Sequence, residues 1–144
     1  MKQFYSCIDP LLSAPQPEQH DLSRRKAAKE GGQIMFYGAE EYCVAASQPF
    51  IFGKLKRIPE VDGVIFFTID QFCYGKIFNL KLLFKILEAD LSVHFAREDI
   101  SLYRLEDLEK NFLVFSAYFH THSRRKKEGL RWTNSVRQVH GKDN

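Results

Sequence analysis

Four short apolar segments alternate with longer, more polar segments along most of the chain. The apolar segments at 3–8, 33–37, 61–69 and 91–96 are rich in aromatic and β-branched residues, and they predict β-strands. The third segment is continuously apolar from Val64 to Phe67, which is typical of a strand that is covered on both faces.

The intervening segments carry helical signals. Pro17 suits the first turn of a very polar helix over 17–30, which Gly31 and Gly32 end. A weaker helical pattern covers 48–58, and a stronger one runs from about 78 to 89. The apolar side chains that we assign to the buried face of the stronger helix are Leu80, Leu83, Phe84 and Leu87.

The last helical pattern is the longest and predicts a helix from about Tyr103 to Glu128. Its large apolar side chains recur at spacings of three and four: Leu105, Leu108, Phe112, Phe115 and Phe119. Such a stripe lines either the core of the domain or a partner helix, so a homodimer through these residues is one interpretation.

The order of elements is β-α-β-α-β-α-β-α. Strands that alternate with helices of this length predict an α/β fold of three layers, with a mostly parallel sheet of four to five strands and helices on both faces. A length of 144 residues favours a single domain. We place that domain at 1–130 and a basic C-terminal tail at 131–144.

Charge is unevenly distributed along the chain. The net charge is +3, but residues 120–144 carry seven basic and two acidic side chains, which is +5 and leaves −2 for the rest. The basic residues that could contact nucleic-acid phosphates are Arg124, Arg125, Lys126, Lys127 and Arg131. The alternative is a solvated helix end, where cations interact favourably with the helix dipole.

Several features bear on the cellular compartment. No apolar run approaches the roughly 18 residues that a membrane span requires, and the first ten residues lack the apolar region of a secretory signal. Cys7, Cys43 and Cys73 are odd in number and widely spaced, which favours reduced thiols. We therefore expect a cytoplasmic protein without membrane contact.

Acidic side chains follow each of the four predicted strands: Asp9, Glu40, Glu41, Asp70, Glu98 and Asp99. Ligand sites of open parallel sheets form beyond the carboxyl ends of the strands. Clustered carboxylates can hold Mg²⁺ or raise one another's pKa for acid–base chemistry. The alternative is that these acids are solvated loop residues that cap helices.

We assign candidate roles on this basis. The candidate catalytic residues are Asp9, Asp70 and Glu98, and the candidate ligand-binding residues are Glu40, Glu41, Tyr42 and Cys73. For Cys73, packing is the default role of a reduced cysteine. No set of metal ligands is predicted, because CXXC and HEXXH are absent, and a two-residue spacing points His120 and His122 in different directions on a helix. His94 alternates within an apolar strand and is interpreted as a satisfied core or edge histidine, with a catalytic base as the alternative.

Four segments resemble the catalytic domain of serine recombinases, the resolvase and invertase family. They are YSCID, SQPFIFGKL, DGVIFFTIDQFCYG and AYFHTHSRRKKEGL, and the resemblance extends from about Phe4 to Leu130. It implies a resolvase-like fold with a long C-terminal helix.

The chain departs from that family at the residues that carry its chemistry. Asp9 stands where the family has its nucleophilic serine, and Cys7 and Gln48 replace arginines. Gln71 and Tyr74 replace two further arginines. Recombination needs a hydroxyl to attack a phosphodiester and arginines to stabilise the anionic transition state. We therefore expect no strand exchange.

A second resemblance is to a family of short proteins from bacterial surface-carbohydrate gene clusters, and it is carried by FYGAEEY, DGVIFFTIDQF and VHFAREDISLYRLEDLEK. It implies an accessory protein or an enzyme of polysaccharide or nucleotide-sugar biosynthesis. The acids at the strand ends would then bind a sugar or a sugar nucleotide, and Tyr42 could stack on it. The alternative function is a DNA-binding regulator that acts through the basic C-terminus.

Overall fold

The computed structural model describes residues 1–39, 61–74, 77–118 and 120. Five strands form the main sheet: β1 (Lys2–Ile8), β2 (Gly32–Ala39), β3 (Gly63–Phe66), β6 (Ser92–Phe95) and β7 (Ile100–Leu102). Two further strands, β4 (Cys73–Tyr74) and β5 (Ile77–Phe78), form a small antiparallel pair of their own.

The main sheet is mostly parallel, as predicted. Its strand order is β2-β1-β3-β6-β7, and each pairing among the first four strands is parallel. The last strand, β7, is antiparallel to β6 and was not predicted. Its three residues follow a tight turn, and a segment that short carries too little alternation of apolar and polar residues to reveal a strand.

Helices cover both faces of this sheet. The helical elements are α1 (Gln16–Lys29), a 3₁₀ turn (Ile69–Phe72), α2 (Leu80–Glu88), α3 (Leu105–Lys110) and α4 (112–118). Ala27 of α1 packs with Phe4 and Ile65 on one face of the sheet. Leu82 of α2 packs with Val64 and Phe66, which alternate with Ile65 and so point to the other face. The domain is therefore a three-layer α/β fold.

The larger core lies on the α2 side and is rich in aromatic rings. The rings of Phe66 and Phe72 meet edge to face with centroids 4.7 Å apart, and Phe72 meets Phe95 in the same way at 5.4 Å. Such contacts contribute about 0.5–1.5 kcal/mol beyond the burial of the rings. They fix the 3₁₀ turn against the ends of β3 and β6.

The buried face of α2 differs from the predicted one. Leu82, Leu83, Ile86 and Leu87 are buried, whereas Phe84 is 41% exposed. Six of the nine residues of this helix are apolar, so several faces satisfy the periodicity equally well. Lys81, Lys85 and Glu88 resolve the choice, because their charges must remain in water and they lie on the same side as Phe84.

The predicted C-terminal helix begins at Leu105, two residues later than expected, and Asn111 separates α3 from α4. Its apolar stripe is divided between core and solvent. Leu108 and Phe115 are 5% and 3% exposed in the larger core, whereas Leu105 and Phe112 are 43% and 55% exposed. Because Leu108 and Phe115 are buried within the domain, the prediction that they line a dimer interface is wrong. A dimer through Leu105 and Phe112 stays a prediction.

Some expectations concern residues outside the described ranges. They are the helix at 48–58, Phe119, the continuation of the C-terminal helix to Glu128, and the tail at 131–144. Within the described ranges, no helix has the length and apolar character to cross a membrane.

Candidate functional site at the carboxyl edge of the sheet

Three of the predicted acids lie at one edge of the sheet. Asp9 follows β1, Asp70 follows β3 and Glu98 follows β6, and these strands run in the same direction. The carboxyl ends of parallel strands meet at the same edge, so the predicted rim exists for these three residues. Glu40, Glu41 and Tyr42 follow β2 and lie outside the described residues, so their assignments stay predictions.

The point where the strand order reverses lies between β1 and β3, and the side chain of Gln71 fills it. Its Nε2 donates to the carbonyl oxygen of Cys7 at 3.1 Å, and its Oε1 accepts from the backbone N–H of Thr68 at 3.0 Å. Gln71 is 1% exposed. The crevice in which doubly wound folds commonly bind ligands is here closed by the chain's own amide.

Gln71 supports a testable prediction about the edge. We expect Gln71→Leu to lower the free energy of unfolding by about 2 kcal/mol, because it leaves a buried carbonyl and a buried N–H without their partners. Urea denaturation measures this loss. Gln33→Leu, on an exposed position of β2, is the control and should change stability by no more than about 0.5 kcal/mol. Equal effects of the two substitutions would contradict the bridging role.

Asp9 shapes the turn between β1 and α1. It is fully buried, and its Oδ1 accepts from the backbone N–H of Leu11 at 2.9 Å. Its backbone N–H donates to Gln19 Oε1 at 3.1 Å, and Gln19 Nε2 returns a bond to the Asp9 carbonyl at 2.9 Å. These contacts are those of an aspartate that forms a turn. They assign Asp9 to the architecture of the edge, and its catalytic role stays a prediction.

A cluster that is partly open to solvent lies one strand further along the edge, with Arg97 at its centre. Arg97 Nη2 lies 3.2 Å from Asp70 Oδ2, and Arg97 Nε lies 3.4 Å from Glu98 Oε2. The arginine also donates to the hydroxyl of Tyr118. The Arg97 side chain is 43% exposed, and each acidic side chain is 11% exposed. We call Asp70, Arg97, Glu98 and Tyr118 the edge cluster.

Two aromatic rings hold the guanidinium of the edge cluster. Its central carbon lies 5.7 Å from the centroid of Phe67 and 5.9 Å from the centroid of Tyr118. A cation is attracted to the face of an aromatic ring at such distances. These contacts orient Arg97 between the two carboxylates.

Burial perturbs the carboxyl group of Glu98. Burial raises its pKa, and this effect outweighs the hydrogen bond from Thr68 and the charge of Arg97, which lower it. Thr68 Oγ1 donates to Glu98 Oε2 at 2.6 Å, and the backbone N–H of Ile69 donates to Oε1 at 3.2 Å. A carboxyl group with a raised pKa at an accessible edge is suited to proton transfer.

Cys73 and His94 occupy buried positions. Cys73 is 1% exposed, and its Sγ faces the carbonyl oxygen of Ile69 at 3.7 Å, which favours the packing role over ligand binding. His94 is fully buried, with Ser101 Oγ 2.8 Å from Nδ1 and Ser92 Oγ 2.8 Å from Nε2. The interpretation of His94 as a satisfied core histidine is confirmed.

The described residues at the carboxyl edge do not form a metal site. Across the described ranges, no group of three or more His, Cys, Asp or Glu side chains could hold a metal ion. Of the two roles that clustered strand-end acids can have, holding Mg²⁺ is therefore not supported for Asp9, Asp70 and Glu98. Asp70 and Glu98 instead form ion pairs with Arg97.

A shallow depression lies elsewhere, on the first turns of α1. Its described lining consists of Gln16, Pro17, His20 and Arg24, none of which belongs to the edge cluster. Burial lowers the pKa of His20, and Arg24 adds to the effect. We place the candidate site at the edge cluster instead, because opposite charges, a hydroxyl and aromatic rings converge there.

Sequence reasoning missed Thr68, Arg97 and Tyr118. Arg97 had a usable signal, since it directly precedes Glu98 at the end of a predicted strand. Thr68 is a favoured type of helix cap immediately before a short helix, and its Oγ1 accepts from the backbone N–H of Asp70. Tyr118 is twenty residues from Glu98 and had no local signal.

No protein-family model matches the chain, and no curated protein matches it.

Proposed function

We propose that this protein binds a sugar, or the sugar moiety of a sugar nucleotide, at the edge cluster. In this proposal it serves bacterial surface-carbohydrate biosynthesis as an accessory protein or an enzyme, and it has a recombinase-like fold without recombinase chemistry. The observation that carries the proposal is the convergence of Asp70, Arg97, Glu98 and Tyr118 at the carboxyl edge.

The composition of the edge cluster favours a neutral polyhydroxyl ligand. Carboxylate oxygens accept hydrogen bonds from hydroxyl groups, and a guanidinium donates to hydroxyl oxygens. The ring of Tyr118 adds an apolar surface next to them. Because two acids already offset the charge of Arg97, the cluster by itself offers little attraction to a phosphate. We therefore expect the sugar moiety, not the diphosphate, to occupy it.

The positions that depart from serine recombinases support the absence of strand exchange. Asp9 stands at the expected attack position with a buried carboxylate that accepts from Leu11. A carboxylate repels a phosphodiester and supplies no hydroxyl. Gln71, at the position of an expected arginine, is neutral, and its amide is engaged with the backbone. Neither residue can hold an anionic transition state.

A thermal-shift screen tests the proposal. The panel contains monosaccharides, nucleoside diphosphates and sugar nucleotides, each with and without Mg²⁺. We expect a sugar or sugar nucleotide to raise Tm, because a ligand at 100 times its Kd stabilises the native state by about 2.7 kcal/mol. That corresponds to roughly 4–12 °C for a domain of this size. Nucleoside diphosphates without a sugar substituent should give a smaller shift.

Two variants locate the binding. Asp70→Asn should abolish most of the shift, because it removes the negative charge and replaces one accepting carboxylate oxygen of the edge cluster by a donating amide group. Asp21→Asn removes one acid from an exposed ion pair with Arg25 on α1 and should keep the full shift. The absence of any shift with sugars and sugar nucleotides would sink the proposal. If the protein instead bound random DNA duplexes with a steep dependence on salt, the alternative of a nucleic-acid regulator would be favoured.

A further inference from the structure

The turn at 96–99, between β6 and β7, carries two residues of the edge cluster and is fastened to β3 at its start. The backbone N–H of Ala96 donates to the carbonyl oxygen of Phe66 at 2.9 Å, and that of Arg97 donates to Phe67 at 2.8 Å. These bonds continue the pairing of β6 with β3 beyond the end of the strands. The first half of the turn is therefore held in the sheet.

The turn ends at Asp99, which has a left-handed backbone with φ +58°. Few residues other than glycine adopt this region, and aspartate and asparagine are among those that tolerate it. The conformation reverses the chain into β7. The direction in which Arg97 and Glu98 point thus depends on how Asp99 is held.

Asp99 is fastened to the helical layer through α1. Its Oδ1 accepts from Lys26 Nζ at 2.7 Å, and its Oδ2 accepts from Lys29. The Lys26 side chain is only 4% exposed, and its Nζ also lies 3.0 Å from Glu30 Oε2. Hydrogen bonds from Lys26 and Lys29 lower the pKa of Asp99 to about 2, so the carboxylate is ionised at neutral pH.

We propose that Asp99 is a positioning residue, which holds Arg97 and Glu98 in the edge cluster through its ion pairs with Lys26 and Lys29. The turn is thereby clamped between β3 on one side and α1 on the other, so that α1 and the candidate site are mechanically coupled. A role of Asp99 in sugar binding rests on the proposed function. The positioning of Arg97 and Glu98 by Asp99 can be tested without any ligand.

Lys26→Gln is the discriminating variant, and the titration of the Glu98 carboxyl group, followed by carbon-detected NMR, is the readout. Removing a cation by itself favours the protonated form of a nearby acid, so a purely electrostatic role predicts that the pKa of Glu98 rises. Loosening the turn exposes Glu98 to water, so the positioning role predicts that its raised pKa falls toward the ordinary value. The two roles give opposite signs.

Hydrogen exchange at the turn is an independent readout. In Lys26→Gln we expect the amides of Ala96 and Arg97 to exchange about tenfold faster, which is the effect of losing about 1.4 kcal/mol of a charge-assisted bond. Arg25→Gln is the matched control. It removes a cation from the same helix at a side chain that is 74% exposed and paired with Asp21, so both readouts should match the wild type.

Two further variants keep the test decisive. If Lys26→Gln does not fold, Lys29→Gln, at a side chain that is 62% exposed, should show the same changes at smaller size. Asp99→Asn tolerates the left-handed backbone but loses the charge, and it should also speed the exchange of both amides. A Glu98 pKa that rises or stays constant in Lys26→Gln, with unchanged exchange, would overturn the inference. If the pKa of Glu98 falls in Lys26→Gln but no sugar binds to the wild type, the positioning role is supported and only the proposed function is contradicted.

Discussion

Replacing Phe115 with alanine should lower the free energy of unfolding by about 3–5 kcal/mol, which is the usual cost of removing a large aromatic side chain from a core. Phe115 is 3% exposed, and its ring meets that of Phe95 with centroids 5.7 Å apart. Urea denaturation of the two proteins side by side measures the loss. The m-value, which is the slope of the free energy of unfolding against urea concentration, should change little because the native fold is retained.

Phe112→Ala is the matched control for this experiment, because it removes the same atoms from the same helix. Phe112 is 55% exposed, so its truncation should change stability by no more than about 0.5 kcal/mol. A loss at Phe112 as large as the loss at Phe115 would contradict the division of the apolar stripe between core and solvent.

Lowering the pH from 6.5 to 4 should reduce stability by about 3 kcal/mol through His94 alone. Burial lowers the pKa of His94 to about 4, whereas a histidine in the unfolded chain has its ordinary pKa of about 6.5. Between pH 4 and pH 6.5 the unfolded state binds more protons at this histidine than the folded state does. Stability therefore rises with pH in this range and is lost as the pH falls. Denaturant titrations at a series of pH values measure the slope.

The His94→Gln variant should be less stable at pH 7 but should lack this slope. His120→Gln, at an exposed position, should retain it. Glu98 has the opposite effect on stability. Because its pKa is raised in the folded state, the folded state binds more protons than the unfolded state at pH values above the ordinary pKa of glutamate. The stability that Glu98 contributes is therefore lost as the pH rises. A wild-type slope that survives in His94→Gln would refute the assignment to the buried imidazole.

The pattern of the sequence was sufficient to predict most of the α/β order. The predicted strand at 3–8 corresponds to Lys2–Ile8, and the predicted helix at 17–30 corresponds to Gln16–Lys29. Both have clear local causes: a compact apolar run in the first, and proline and glycine boundaries in the second. Where the local signal was ambiguous, as in the nearly uniform apolar composition of α2, the sequence did not determine which face is buried.

The edge site was only half predictable, for a related reason. Acids at strand ends can be found from the sequence once a parallel sheet is expected, so Asp9, Asp70 and Glu98 were correctly placed at one edge. The partner of an acid depends on contacts between distant segments. Arg97 lies 27 residues from Asp70, and Tyr118 lies 21 residues from Arg97. No periodicity connects such positions.

By itself, the sequence of this protein determined the four parallel strands, the helices α1 and α2 and their order, because hydrophobic period and helix boundaries are properties of neighbouring residues. It also determined that the carboxyl edge is acidic, because every predicted strand is followed by an acid. Only the tertiary structure decided that Gln71 closes the crevice between β1 and β3, and that Lys26 is buried against Asp99. A buried polar side chain needs partners that the fold brings from far along the chain, so its role exists only after the layers have packed.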